Sequence, residues 1–191
     1  MAAPRLWLVR HGQTAWSAAG RHTGRTDLPL DDTGRAQALA LRPILEAQRF
    51  EQVLTSPLQR AYETCRIAGY ADGAQPVDDL QEWDYGDYEG LTTDEIRADR
   101  PGWTLWRDGC PGGETVEEVG ARVDRVIERA RAVDGDTVVF SHGHLLRVLA
   151  ARWVQLDPTA GALLALDTAT VSVLGWEREQ AVVRQWNLTP A

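Results

Sequence analysis

The chain has 191 residues, a formal net charge of −8, 43% hydrophobic residues and 25% charged residues. This length suits one α/β or other globular domain with a full core, which we place at residues 1–191. The negative charge argues against nucleic acid and membrane surfaces as main partners, because both require a basic face. Neither a membrane-spanning run nor a secretory signal is found, so we predict a cytoplasmic protein.

The first half of the chain predicts strands that alternate with helices. Residues 5–10 and residues 52–56 are short apolar runs of strand length. Residues 33–48 predict a helix between them, with an irregularity at Pro43. The inner face of this helix would consist of Leu39, Leu41, Ile44 and Leu45. Ser56 is expected to cap a second helix, with proline in its first turn.

The second half continues the alternation after a long loop region over residues 71–115, which holds one short helix near 92–99. An amphipathic helix over 115–133 opens with a Thr-x-x-Glu capping signal. Its buried stripe would consist of Val116, Val119, Val123, Val126 and Ile127. Residues 136–141 predict a third strand followed by a helix, and residues 170–188 predict a hairpin. The pattern indicates an α/β domain with a parallel sheet.

The basic residues and the cysteines limit the kinds of reaction that the protein can catalyse. All 20 basic residues are arginine, which removes Schiff-base chemistry, the P-loop lysine and the kinase strand lysine. Arginine is always charged, and its planar fork binds phosphate or carboxylate groups. Cys65 and Cys110 are too few for a disulfide framework, so we interpret both as free thiols.

Polar residues follow each of the three predicted strands. His11 comes after the first strand, Ser56 ends the second, and His142 comes after the third. Ligands of open α/β sheets bind beyond the carboxyl ends of the strands. We therefore expect one crevice to be lined by Arg10, His11, Arg60 and His142. Gly12 and Gly143 would leave room for a ligand near the backbone, and the set suits a phosphoryl group.

A metal site is the alternative reading of the histidines. The sequence has four, at positions 11, 22, 142 and 144, and two of them lie in the motif SHGH. However, Arg10 adjoins His11, and Arg147 lies five residues after His142. Guanidinium groups beside the ligands would repel a metal cation. We therefore predict that the protein needs no metal and no cofactor.

Four motifs are familiar as a set. RHGQT (10–14), TSPLQRAYET (55–64), EWDYGDYEGLT (82–92) and SHGH (141–144) resemble the histidine phosphatase superfamily, which includes the cofactor-dependent phosphoglycerate mutases. The resemblance covers most of the chain, with the motifs in the family's order. It implies a single-domain three-layer α/β/α sandwich with a mostly parallel central sheet. It also implies a phosphoric monoester hydrolase.

The resemblance further implies a role for each catalytic residue. His11 would be the nucleophile and form a phosphohistidine. Arg10, Arg60 and His142 would hold the phosphoryl oxygens. Glu82 would protonate the leaving group and then act as base on water. Rivals for this last role are Asp84, Asp87 and Glu89, whereas Glu114 is interpreted as a capping-box partner or a residue at the edge of the site.

The resemblance leaves two activities open. A mutase would carry a longer basic insertion between Glu82 and His142, which favours the phosphatase and keeps the phosphoglycerate mutase as the alternative. The cations of that interval are Arg97, Arg100 and Arg107, together with Arg122, Arg125, Arg129 and Arg131, which are interpreted as the outer face of a helix. A non-catalytic phosphate-binding module would need a damaged set of catalytic residues, and His11, Glu82 and His142 are all present.

The motifs are most similar to a subgroup that contains sedoheptulose-1,7-bisphosphatase and bacterial acid phosphatases. This likeness implies a small phosphorylated metabolite as substrate, with a sugar phosphate or bisphosphate as the favoured class. It leaves the oligomeric state open, with a homo-oligomer as one option. The substrate pocket would be lined by His22, Thr23, Gly24, Trp83, Asp84, Tyr85, Asp87, His144 and Arg147.

Overall fold

The computed structural model describes residues 3–190 and contains a six-stranded sheet. The strands are β1 (Leu6–Arg10), β2 (Gln52–Thr55), β3 (Gln75–Pro76), β4 (Thr137–Ser141), β5 (Val171–Glu177) and β6 (Gln180–Leu188). Their order in the sheet is β3-β2-β4-β1-β5-β6. The pairs among β1 to β4 are parallel, while β5 and β6 are antiparallel. The predicted α/β fold with a mostly parallel sheet is thus confirmed.

Helices lie between the strands. They are α1 (Ala15–Ala18), α2 (Asp32–Ala40), α3 (Arg42–Glu46), α4 (Gln59–Ile67), α5 (Thr93–Asp99), α6 (Leu105–Asp108), α7 (Val116–Arg131) and α8 (Gly143–Trp153). Short 3₁₀ turns occur at Asp78–Leu80, Gly86–Tyr88 and Pro158–Leu163. Within residues 3–190, no helix combines the length and the apolar character needed to cross a membrane.

The helix predicted over residues 33–48 is two helices, α2 and α3. The break falls just before Pro43, which occupies the first turn of α3, where a missing N–H costs nothing. Leu41 and Leu45 are fully buried, as predicted, but Leu39 is 52% exposed. The prediction that Leu39 faces inward is wrong, because the 3.6-residue period does not continue through the break between α2 and α3.

Helix α4 begins two residues later than the Ser56-Pro57 signal predicts. Its first residue is Gln59, and no side chain caps it. The Ser56 hydroxyl accepts instead from the Leu58 N–H, 3.2 Å away, in a turn before the helix. Ser56 is therefore a turn residue, and its hydroxyl is available to a second partner across the sheet.

The core lies on both faces of the sheet because side chains of β1 alternate between them. Leu6 and Leu8 belong to the cluster that includes α7 and α8. Trp7 and Val9 belong to a second cluster with residues of α3 and α4. A sheet with a packed helical layer on each face is the three-layer sandwich.

Helix α7 carries the predicted apolar stripe, and all five stripe residues are buried. Thr115 caps it, and the Glu118 carboxylate returns to the Thr115 N–H at 2.8 Å. The capping partner is therefore Glu118 and not Glu114. Arg122 also departs from expectation: it is only 6% exposed, whereas an outer-face position was predicted.

Candidate active site

The register of the sheet brings the ends of β1, β2 and β4 to one edge. Arg10 pairs with Ser141, and Thr55 pairs with Phe140, so the residues that follow these strands are neighbours. The His11 N–H donates to the Ser141 carbonyl at 3.0 Å. The imidazole rings of His11 and His142 lie 5.1 Å apart between their centroids.

His11 is 4% exposed and lines a cleft of about 380 Å³. Its Nδ1 lies 2.7 Å from the Gly12 carbonyl oxygen. A carbonyl only accepts hydrogen bonds, so Nδ1 is the donor and carries the ring proton. The Nε2 atom of His11 therefore keeps its lone pair. A neutral imidazole with a free lone pair is the form that attacks an electrophile.

His142 is fully buried, and both of its ring nitrogens have protein partners. Arg60 Nε donates to Nδ1 at 3.2 Å, and Nε2 lies 2.8 Å from the Ser56 hydroxyl. Because Nδ1 accepts from a guanidinium, Nε2 carries the proton and donates to Ser56. A phosphoryl oxygen that binds this imidazole must replace one of these two partners.

Arg60 is held by the loop that follows α1. Its Nη2 donates to the carbonyl oxygens of Thr23 and Gly24 at 3.0 and 2.9 Å, and its Nη1 donates to that of Thr26 at 3.0 Å. The Glu89 carboxylate fixes this loop, accepting from the N–H of Gly24 at 2.8 Å. Glu89 is thus an anchor of the Arg60 site.

Of the residues predicted to line the crevice, Arg60 and His142 are fully buried and lie outside the cleft lining, whereas Arg10 brings a guanidinium to it. Its Nη1 donates to the Leu166 carbonyl, and its buried Nε has no hydrogen-bond partner within residues 3–190. Gly143 packs against this group, since a Cβ there would lie 3.2 Å from Arg10 Cζ. Gly12 faces the Gly34 backbone, 2.3 Å from where its Cβ would be. Gly12 therefore makes room for protein atoms and not, as expected, for a ligand, whereas Gly143 packs against Arg10 and also lines the cleft.

Glu82 lies at the amino end of α8 and lines the same cleft. Its Oε1 accepts from the N–H groups of Trp83 and Leu145, each at 2.9 Å, and its Oε2 accepts from that of His144 at 3.1 Å. A helix amino end is a favourable place for a carboxylate because its N–H groups are unpaired. Oε2 has one N–H partner against two at Oε1, so Oε2 has more room for a further hydrogen-bond partner from the cleft.

The rival carboxylates have other partners. Asp84 Oδ1 accepts from the Gly86 N–H at 2.9 Å, and Asp87 is exposed outside the cleft. Glu89 binds the loop that holds Arg60. Glu114 forms an ion pair with Arg122, whose Nε lies 2.8 Å from Oε1. Of these carboxylates, Glu82 is the one that lines the cleft together with His11.

The outer part of the cleft contains some of the predicted pocket residues and excludes others. It is lined by His22, Thr23, Tyr85, His144 and Arg147. The structure does not bring Gly24, Trp83, Asp84 and Asp87 into this lining. Trp83 is fully buried in the core, and its indole N–H donates to the Glu114 carbonyl at 2.8 Å.

Sequence reasoning missed several lining residues, which are Ser17, Gly20, Arg21, Thr93, Arg97, Trp103, Thr104, Leu105, Trp106 and Leu166. Most of them come from the loop region over 71–115, which has no strand or helix long enough to show a period. Two tryptophans within four residues, Trp103 and Trp106, were the available signal. Arg147 lies over the Trp106 ring, 4.7 Å from its centroid.

Burial sets the protonation of the site. It lowers the pKa of His11 well below 6.5, and the nearby Arg60 and Arg10 cations lower it further. Burial and then Arg60 likewise lower the pKa of His142. Burial and the Glu82 carboxylate raise the pKa of Tyr85 well above 10.0, so its hydroxyl stays protonated. The imidazole of His11 is therefore neutral in neutral solution.

These histidines make the stability depend on pH. Their folded pKa values are below 6.5, so the unfolded chain binds more protons as the pH falls beneath that value. We expect the free energy of unfolding to decrease from pH 7 to 5, by up to about 1 kcal/mol per pH unit for each histidine. Urea unfolding at pH 7, 6 and 5 measures this, and His142→Asn should give a shallower decrease. A stability that is constant or rises over this window would contradict the assignment.

Within residues 3–190, no group of three or more His, Cys, Asp or Glu side chains is arranged to hold a metal ion. The positive charge at the cleft comes from guanidinium groups. A neutral imidazole nitrogen beside such cations suits attack on a phosphate ester, an anion that the cations attract. Fold and site together thus define an α/β enzyme of phosphoryl transfer.

Comparison with known proteins gives the family. Residues 6–189 match the histidine phosphatase superfamily (branch 1). An acid phosphatase of Mycobacterium tuberculosis is 42% identical over 177 residues, which cover 91% of this chain and 87% of the relative. Sedoheptulose 1,7-bisphosphatase of Saccharomyces cerevisiae is 38% identical, with 80% of this chain and 68% of the relative covered.

A solved structure agrees with these matches. That of an open reading frame from Mycobacterium tuberculosis has 40% identity and a TM-score of 0.93, and covers 98% of this chain and 99% of that one. The chain belongs to the histidine phosphatase superfamily. It is a phosphoric monoester hydrolase, a phosphatase that acts on phosphorylated substrates.

Proposed function

We propose that the protein is a metal-independent phosphomonoesterase that works through a phosphohistidine at His11. One observation carries this proposal: the Nδ1–H of His11 is bound to the Gly12 carbonyl, which leaves Nε2 as the free nitrogen of a ring that lines the cleft. Glu82 lines the same cleft, so a nucleophile and a proton carrier face one substrate.

In the first half-reaction, His11 Nε2 forms a bond to phosphorus while the ester P–O bond breaks. The leaving alkoxide takes the proton carried by Oε2 of Glu82. In this mechanism Arg10, in the cleft lining, and Arg60, outside it, balance the charge of the phosphoryl oxygens, and the His142 ring lies 5.1 Å from that of His11 between centroids. The buried, unpartnered Nε of Arg10 is one donor that a phosphoryl oxygen would satisfy.

In the second half-reaction, water attacks phosphorus and the P–N bond breaks. The Glu82 carboxylate accepts the proton that water loses, so the group that acted as acid now acts as base. Inorganic phosphate leaves, and His11 returns to its neutral form. The low pKa of His11 supports this cycle because a neutral leaving imidazole is stable at this position.

We propose a small phosphorylated metabolite as substrate, with sugar phosphates and bisphosphates as the favoured class. The outer cleft supports this class, since its lining includes the aromatic residues Trp103, Trp106 and Tyr85. Arg21, Arg97 and Arg147 line the same region and can bind a second anionic group. The similarity to a yeast sugar bisphosphatase agrees with this choice.

A substrate panel tests the proposal against the mutase alternative. Phosphate release is measured for sugar phosphates, sugar bisphosphates, nucleotides and p-nitrophenyl phosphate. Conversion of 3-phosphoglycerate is assayed in parallel, with a bisphosphate primer. We expect phosphate release, fastest for sugar phosphates, and no primed isomerisation. Primed isomerisation without net phosphate release would establish a mutase instead.

Activity should not depend on a metal ion, because Arg10 and Arg60 supply the positive charge. We expect hydrolysis of p-nitrophenyl phosphate to be unchanged, within about twofold, after dialysis against EDTA. Added magnesium or zinc should give no increase. Loss of activity in EDTA that zinc or magnesium restores would contradict the proposal.

A further inference from the structure

Arg122, a buried arginine of α7, contacts the segment that carries Glu82. Its guanidinium donates to the carbonyl oxygens of Asp79, Gln81 and Glu82, at 2.8, 2.6 and 3.1 Å. The donors to Asp79 and Gln81 are both Nη1, and the donor to Glu82 is Nη2. One side chain thus fixes three carbonyl groups within four residues, up to Glu82 itself.

Glu114 fixes the same segment on the other side of Glu82. Its carboxylate accepts from Arg122 Nε and Nη2 at 2.8 and 3.0 Å, and from the Asp84 N–H at 2.9 Å. Its carbonyl oxygen accepts from the Trp83 indole at 2.8 Å. With these contacts all five N–H groups of Arg122 are used.

We propose that Arg122 and Glu114 are positioning residues, which hold the Glu82 carboxyl at the amino end of α8 so that it can reach the leaving group. This inference rests on the proposed role of Glu82 as acid and base. Hydrogen bonds fix the backbone on both sides of Glu82. The Glu82 side chain therefore starts from a fixed Cα position and reaches the amino end of α8 in one arrangement. A proton transfer needs such control because a misplacement of about 1 Å can cost roughly 100-fold in rate.

Burial of Arg122 and partial burial of its partner Glu114 support a role in geometry over one in stability. Two charges removed from water cost free energy that their attraction barely offsets, and apolar residues of similar volume often serve stability better. Arg125, one turn further along α7, provides the contrast. It is exposed, and its partners are the Asp79 carboxylate, with Nε 2.9 Å from Oδ2, and the Ala121 carbonyl of its own helix, so it contacts no backbone group near Glu82.

The substitution Arg122→Lys tests this inference. Lysine keeps a positive charge opposite Glu114, so the fold should be retained, but one ammonium group cannot serve five acceptor contacts. Single-turnover phosphorylation of the enzyme is measured with glycerol phosphate and with p-nitrophenyl phosphate. We expect the rate with glycerol phosphate to fall roughly 10- to 100-fold, and that with p-nitrophenyl phosphate by less than about threefold. Arg125→Met, the matched control, should change neither rate.

The double variant Arg122→Lys/Glu82→Gln shows whether the effect passes through Glu82. If it does, adding Arg122→Lys to Glu82→Gln gives no further loss with glycerol phosphate. Glu114→Gln should reproduce the difference between substrates in a second, independent way.

The outcomes separate the inference from the proposed function. Suppose that Glu82→Gln slows phosphorylation by glycerol phosphate more than by p-nitrophenyl phosphate. If Arg122→Lys then slows the two reactions equally, or slows neither of them, the positioning role is wrong. Additive losses in the double variant would overturn it too. If Glu82→Gln itself does not distinguish the substrates, Glu82 is not the acid, and the inference falls with that role.

Discussion

Replacing His11 by alanine is expected to lower turnover by at least ~10⁴-fold and to abolish the phosphoenzyme. The ring supplies the atom that bonds to phosphorus. The other imidazoles that line the cleft, His22 and His144, stack on each other, whereas His11 packs against His142. His142 has both ring nitrogens bound, to Arg60 and Ser56. The measurement is steady-state hydrolysis of p-nitrophenyl phosphate, with acid-labile, base-stable phosphate counted on the quenched protein.

Two comparisons make this result specific to the nucleophile. His142→Ala should reduce turnover severely but leave a detectable phosphoenzyme, because His142 contributes to binding and not to the bond. Free imidazole should restore part of the hydrolysis in His11→Ala and none in His142→Ala. If the two variants behave in the reverse way, the roles of the histidines are exchanged.

The second large effect is expected for Glu82→Gln with poor leaving groups. An alkoxide needs a proton as it departs, which is worth roughly 10²–10⁴ in rate, whereas a nitrophenolate leaves without one. Glutamine keeps the size and the acceptor oxygen, but it has no acidic proton. We expect single-turnover phosphorylation to slow by this factor for sugar phosphates and by much less for p-nitrophenyl phosphate.

The experiment must observe the first half-reaction alone. Glu82 also acts as base in the second half-reaction, so the steady-state rates of both substrates would fall and hide the difference. Glu128→Gln, which changes an exposed carboxylate of α7, is the matched control and should leave both rates unchanged. Equal slowing of both substrates by Glu82→Gln would remove it as the acid.

Much of the catalytic centre could be predicted because it depends on the ends of strands. His11, Ser56 and His142 each follow a strand with a clear apolar pattern, and parallel strands place their carboxyl ends at one edge. No tertiary detail was needed to bring them together. Glu82 is different: the family motif identifies it, and its position at α8 depends on backbone N–H groups that the sequence does not reveal.

Other features depend on contacts between distant segments and were therefore missed or misplaced. Arg122 was assigned to the outer helical face because of its charge. Its position three residues after Val119 and four before Val126 puts it at the edge of the buried stripe, where carbonyl groups from the loop before Glu82 accept its hydrogen bonds. Trp83 looks like a pocket residue beside Glu82, but its indole is directed to the Glu114 carbonyl. In both cases the hydrogen-bond partner is more than 30 residues away in sequence.

The site of covalent phosphorylation tests the central claim most directly. The enzyme is mixed with a substrate labelled at phosphorus, quenched within milliseconds in base and digested, and the phosphopeptide is sequenced by mass spectrometry. We predict that a phosphohistidine is found in the peptide that contains RHGQT, at His11, and that it is formed and lost as fast as turnover. Phosphate on His142, or turnover without any covalent phosphoenzyme, would contradict the account.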